Sequence, residues 1–419
     1  MKYSLVSLLF VSLIVLKTSS LKSDEYIDAL EDLIKNEEFV EEYSLWSLKL
    51  FTTKDYIYGP KPKNFPCNKN LQRKVNDSIT VHSLLPNDIQ CVGAIGDSLT
   101  AALGAHALTP IGLFTENRGV SWSAGGDYSY NKLMTLPNIL REYNSQLKGY
   151  STKSSLIFGK GQNSSHNGLN CAKSGDRSYH MIDQAHILYE RLNSNDICNM
   201  KDDWKMITFF VGGNDLCIFC EDLNKHNPVN FTKYIEETLD FLHANFPRTF
   251  VNLVLVLDVR SVEKLNAGGT VCRLMHNKTC PCAAYPSPDD RRTLQEWIPL
   301  YHKNLVDLIN TGKYDTGDDF TVVIQPFMAH TQVPVVDGEI DYSFFAPDCF
   351  HFSGKGHSRA SLSLWNNMIE QVGRKRWEWH TGEELECPTE ERPYFSTRLN
   401  SAQSSEVIPQ IKKKKPTLI

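Results

Sequence analysis

The 419 residues predict an α/β fold built on a parallel sheet covered on both faces. Three observations carry that prediction. Four short segments, Cys91–Ile95, Met206–Val211, Phe250–Leu257 and Phe320–Ile324, are nearly continuous apolar runs, as strands buried on both faces require. Longer amphipathic stretches lie between or after them, at Tyr179–Leu192, Tyr234–Ala244, Leu294–Ile309 and Ser361–Val372, with the spacing of helices. Glycine-rich polar motifs follow two of the strand segments directly, at the edge where open parallel sheets bind ligands. Leu156–Phe158 is a weaker fifth strand candidate.

Taken in order, the chain opens on Lys2, an apolar run from Leu5 to Leu16, and the small residues Thr18-Ser19-Ser20. That is the pattern of a secretory signal peptide over residues 1–20, too short to span a bilayer. Residues 21–82 read as a helical lead, with Leu30, Leu33, Ile34 and Phe39 at helical spacing, followed by a loop rich in proline and lysine. Residues 83–385 hold the strand and helix alternation, and 386–419 read as a polar, lysine-ended, disordered tail. The end of the chain, Lys412 to Lys415 and then Pro-Thr-Leu-Ile, lacks the hydrophobic tail of a GPI anchor. A secreted, unanchored product is the expectation.

Composition narrows the function. With 44 basic and 49 acidic residues the net charge is −5, and sequence-independent nucleic-acid binding needs a basic surface instead. Four N-x-[ST] sequons, at Asn76, Asn163, Asn230 and Asn277, fit an exported glycoprotein. In that compartment the eleven cysteines are read mainly as disulfides. Cys217-x-x-Cys220 and Cys272 with Cys280-Pro-Cys282 would suggest zinc only in a reducing one. The odd count leaves at least one thiol free or paired between chains; spacing leaves the connectivity open.

Four motifs bear chemistry. Gly96-Asp97-Ser98-Leu99 ends an apolar strand and opens a helical stretch, which exposes a serine at the ligand-binding edge; Asp97 or Ser98 as a mere helix cap is the alternative. Asn170-Cys-Ala-Lys-Ser-Gly175 offers a glycine whose N–H can approach a ligand closely, or simply a turn. Gly212-Gly213-Asn214-Asp215 places an amide donor after the third motif's strand, or an asparagine in a tight turn. In Asp348-Cys-Phe-His351 the carboxylate can hold Nδ1–H of the imidazole and leave Nε2 free as a base. His357 is the nearby competitor for that role. Together they specify an acyl transfer to water without a metal or other cofactor. Ser98 attacks, His351 moves the proton, Asp348 orients His351, and N–H groups of Ser98, Gly175 and Asn214 hold the oxyanion.

These four motifs, in this order, resemble the signature regions of the GDSL, or SGNH, hydrolases. The resemblance implies a flavodoxin-like three-layer α/β/α sandwich with a five-stranded parallel sheet. Val81-His-Ser-Leu-Leu-Pro86-Asn-Asp-Ile89, Arg118-Gly-Val-Ser-Trp122-Ser-Ala-Gly-Gly126-Asp and Asp348-Cys-Phe-His351-Phe-Ser are similar to the phospholipase B group of that family. The likeness runs over roughly residues 60 to 385 and corresponds to one unit of the group's large tandem-repeat members. It implies calcium-independent hydrolysis of fatty-acyl esters in phospholipids or lysophospholipids, with transient contact to membranes or micelles and no nucleic-acid partner. The expected protein is monomeric. Trp122–Asp127 and Phe114 are candidates for an acyl pocket, with Trp122 in the core as the alternative. Other readings are a neutral lipase, a retinyl esterase, a carbohydrate acetylesterase or a non-catalytic lipid-binding protein.

Overall fold

A computed structural model describes residues 55–401 except 63, 76, 158–164, 195 and 196, together with 41, 45, 52 and 53. The signal segment, nearly all of the helical lead and the lysine run fall outside the described residues, as do the sequons at Asn76 and Asn163.

The central sheet has four strands: β1 (Ile89–Gly96), β4 (Trp204–Phe210), β5 (Thr249–Val254) and β6 (Phe320–Gln325), in that order and all parallel. Every residue of β4 and β5 is buried. Side chains alternate between the two faces, and each face has its own core. Ile207, Phe209, Val251 and Leu253 pack under α3 (Met181–Ser194), α5 (Pro228–Asn245) and α9 (Pro288–Asn310). Met206, Phe210, Phe250 and Val254 pack under α2 (Leu136–Tyr143) and α10 (Gly354–Ile369). That is the three-layer α/β/α arrangement. Among the described residues no helix is long and apolar enough to cross a membrane.

The fifth strand differs from expectation. Ser155–Leu156 (β3) leaves the main sheet and pairs antiparallel with Thr115–Glu116 (β2). The lane beside β1 is filled instead by two stretches, through Lys148 O to Val92 N and through Leu169 O to Ala94 N, each at 3.0 Å. Cys171 N and Lys173 N continue that lane, donating to Ala94 O at 2.8 Å and Gly96 O at 3.1 Å. Positive-φ Gly149 and Gly168 interrupt the lane, so no apolar run marks it.

The domain is also larger than residues 83–385. Cys387 is bonded to Cys67, and Phe395 lies fully buried against Phe250 and Trp365. Thus 386–401 packs on the domain rather than forming the start of a disordered tail, because one aromatic in a polar stretch finds the core. At the other end Tyr56 is buried, with its hydroxyl on Ala107 O at 2.9 Å. Ten cysteines form five disulfides: Cys67–Cys387, Cys91–Cys198, Cys217–Cys280, Cys220–Cys282 and Cys272–Cys349. Cys171 is the free one; it is buried, and that burial pushes its thiol up to about 11, so it is not a nucleophile.

Candidate active site

The site forms where β1, β4 and β5 end. At the end of β1, Gly96 has no room for a side chain: a Cβ would lie 2.4 Å from Phe210 O. The chain then turns into a one-turn helix, α1 (Ser98–Ala101), capped by Asp97 Oδ1 accepting from Leu99 N at 2.9 Å. Asp97 is therefore the cap, and Ser98 is left for other work. Its Oγ lies 2.8 Å from His351 Nε2.

His351 is held from behind. Asp348 Oδ2 is 2.5 Å from His351 Nδ1, while Oδ1 accepts from the backbone N–H of Phe350 and of His351 at 3.1 and 3.0 Å. Burial alone would raise the Asp348 carboxyl, but the His351 charge and these bonds outweigh it and hold it below the usual carboxylate range. The loop is tightly wound: Ala346 N donates to His351 O at 2.7 Å. Cys349, at φ +56°, is tied to Cys272 on α7 (Thr270–Thr279). Ser353 caps α10 just beyond, its Oγ accepting from Gly356 N at 3.3 Å.

After β4, Gly212 at φ +125° turns the chain into α4 (Gly213–Cys217). Asn214 Nδ2 donates to Asp176 O at 2.9 Å, so the asparagine touches the loop that carries Gly175. Asp215 fastens the same junction from below. It is fully buried and accepts from Ser178 N at 2.9 Å and Ser178 Oγ at 2.7 Å, with His226 Nδ1 at 3.2 Å. Gly175 sits at φ +85° with nothing within 4 Å of where a Cβ would be. Backbone conformation, not crowding, calls for glycine there.

A cleft opens beside Ser98 and Asn214, lined chiefly by Phe210, Leu257, Val262, Leu265, Met328, Phe345, Phe352 and Trp379. Such a mainly apolar wall accepts hydrocarbon, with Ser98 and Asn214 among the few polar groups that line it.

A family model described as GDSL-like Lipase/Acylhydrolase matches residues 92–364. The chain belongs to that family. Membership assigns it to the carboxylic ester hydrolases. Over 335 residues it is 44% identical to membrane-associated phospholipase B1 of Homo sapiens, covering 77% of this chain and 22% of that protein. The Mus musculus protein of the same name is 42% identical over 335 residues, again 77% of this chain and 22% of the relative. The one from Rattus norvegicus is 41% identical over 339 residues, 78% and 23%. The chain thus spans about a fifth of the length of the curated relatives it matches.

Two side chains weighed for the site of this GDSL-family chain lie elsewhere. Trp122 is fully buried, donates Nε1–H to Leu99 O at 3.1 Å and stacks edge-on against Phe210 and Phe327. It is core, not pocket wall. His357 lies on α10, and its Nδ1 accepts from Trp122 N at 3.4 Å. Burial pushes that imidazole down to about 3, so it stays neutral. The cleft walls after β5 and β6 carry no sequence motif, although Leu257 and Val262 follow a strand end as the ligand-binding edge requires.

Asp97 supplies a pH signature. Burial pushes its carboxyl from 3.8 up to about 7, against the Leu99 N–H and His351, which pull it down. Between those two values the folded chain holds a proton that the unfolded chain releases. Stability from this group therefore falls as pH rises across that window, by about 1.4 kcal/mol per unit. Asp97→Asn keeps an oxygen for Leu99 N and removes the charge. Thermal melts should show the variant more stable than wild type at about pH 8, with the gap closing toward about pH 4.

Proposed function

We propose that this chain is a secreted phospholipase B or lysophospholipase that hydrolyses fatty-acyl esters of glycerophospholipids through an acyl-enzyme on Ser98. The observation that carries the reading is the Ser98–His351–Asp348 relay opening onto an apolar cleft. Oγ of Ser98 bonds to the ester carbonyl carbon as its proton moves to His351 Nε2. The tetrahedral oxyanion collapses, the C–O bond to the glycerol side breaks, and His351 returns the proton to the leaving alkoxide. Water then repeats the sequence on the acyl-serine and frees the fatty acid. Asp348 holds Nδ1–H throughout and stabilises the imidazolium.

The oxyanion needs donors aimed at it in advance. Among the described residues neither the Ser98 nor the Gly175 N–H donates to another residue. The Asn214 amide uses one N–H on Asp176 O and has a second to give. Asn214→Ala should lower kcat by about 10²–10³ with KM little changed; steady-state kinetics on one ester substrate checks this, and an effect confined to KM would contradict the role.

Secretion is supported by the N-terminal pattern, by five disulfides and by Asn277, an exposed sequon on α7. The substrate class rests on the phospholipase B1 relatives and the apolar cleft. Fatty-acid release from phosphatidylcholine and lysophosphatidylcholine, measured with EDTA present and beside triolein and an acetylated sugar, tests it. Release chiefly from the two phospholipids is expected. Preference for triolein or the sugar would overturn the substrate class while leaving an ester hydrolase.

A further inference from the structure

The Arg118-Gly-Val-Ser-Trp122 segment is part of the resemblance to the phospholipase B group, yet none of its side chains enters the reaction as proposed. Its charged residue sits in an unusual place. Arg118 is 1% exposed and Glu116, on β2, is 0% exposed. Arg118 Nε and Nη2 donate to Glu116 Oε2 at 3.0 and 2.7 Å. The pair then reaches outward to one loop. Arg118 Nη2 donates to Ala172 O at 2.7 Å and Nη1 to Asn170 O at 3.2 Å. Glu116 Oε1 accepts from Ser174 Oγ at 2.8 Å and from Ser174 N at 3.3 Å. Ser174 is the residue before Gly175.

A second tie runs to the nucleophile's own turn. Asn170 Oδ1 accepts from Ala172 N at 3.2 Å, and Asn170 Nδ2 donates to Thr100 O in α1 at 3.2 Å. The loop that presents Gly175 and the turn that presents Ser98 are therefore braced against each other, with the ion pair beneath the loop. Stability alone is a poor reason for such a pair. Removing two charges from water costs several kcal/mol each, and apolar residues of similar volume often do as well or better. What a bidentate pair adds is fixed direction.

We infer that Glu116 and Arg118 are positioning residues for the reaction: acting through Ser174, they aim the Gly175 N–H at the oxyanion. The inference rests on the proposed use of Gly175 as an oxyanion donor. It predicts a defect in turnover rather than in binding, because the brace touches the loop behind the donor and not the cleft that holds the acyl chain.

Ser174→Ala removes the hydroxyl link and leaves the buried pair intact, so it tests the idea without unfolding the chain. On a p-nitrophenyl acyl ester, kcat should fall about tenfold with KM within about twofold of wild type, less than loss of a whole donor. Its melting temperature should stay within a few degrees of wild type, and Ser174→Thr, which keeps the hydroxyl, should recover most of the rate. Glu116→Gln should show a larger loss of kcat. Wild-type kcat in Ser174→Ala, or a change in KM alone, overturns the inference while the reading of the site stands. Equal losses in Ser174→Ala and Ser174→Thr overturn it too. Failure of a fluorophosphonate to label Ser98 in wild type removes the reading itself, and the inference with it.

Discussion

Ser98→Ala should abolish ester turnover, by about 10⁴-fold or more, while the protein melts within a few degrees of wild type. The two halves of that expectation come from different parts of the structure. In the proposed reaction Oγ is the atom that bonds to the acyl carbon, and among the described residues no other hydroxyl lining the cleft stands 2.8 Å from a histidine nitrogen as it does. The fold, by contrast, loses one hydroxyl and one hydrogen bond at a site where Gly96, the Asp97 cap and Phe210 keep the turn in place. Measuring fatty-acid release and a thermal melt on the same preparation checks both halves. Activity equal to wild type would remove Ser98 from the mechanism.

His351→Ala should cost as much activity, again several orders of magnitude, but with a different effect on stability. Removing the imidazole leaves Asp348, 1% exposed, without the partner 2.5 Å away. A buried carboxylate that loses a hydrogen-bond donor costs about 1–3 kcal/mol, and more when it is charged. The pH sign follows from the folded carboxyl lying below its ordinary value. In wild type its contribution is present above the ordinary carboxylate range and is lost as pH falls through the folded value. In His351→Ala that contribution is missing at neutral pH, so the gap in melting temperature should be widest there and narrow in acid. Residual activity within tenfold of wild type would move the base elsewhere. His357 is a poor heir, since it is buried at Trp122 N.

The candidate site residues were legible because the contacts that aim them are local. Gly96-Asp-Ser98, Gly212-Gly-Asn214-Asp and Asp348-x-x-His351 each place a functional side chain within three residues of the turn or partner that aims it. The four strands were legible for a similar reason, since two covered faces demand an unbroken apolar run. What escaped was non-local. The fifth lane of the sheet is made of glycine-interrupted stretches held by backbone bonds to β1, which leave no periodic mark. Cleft walls come from three separate strand ends, from Phe345 and Phe352 of the His351 loop and from Trp379, and only the fold brings them together. Trp122 looked equally fit for core or pocket until its N–H was found on Leu99 O. Phe395 shows how one buried ring can order a stretch that composition alone reads as disordered.

The disulfides make the same point at larger scale. Cys217–Cys280 and Cys220–Cys282 fasten the segment after Asn214 to the end of α7 and to α8 (Pro281–Ala284), while Cys272–Cys349 fastens α7 to the His351 loop. One braced segment thus spans from Asn214 to His351, the proposed oxyanion donor and base. No spacing rule predicts such a pattern, because connectivity is set by the fold.

The most direct test of the account is to react the wild-type chain with a fluorophosphonate and map the adduct by peptide mass spectrometry. A single adduct on Ser98 is expected, absent in Ser98→Ala and formed far more slowly in His351→Ala. An actively hydrolysing chain with no adduct on Ser98, or with its adduct on another residue, would contradict it.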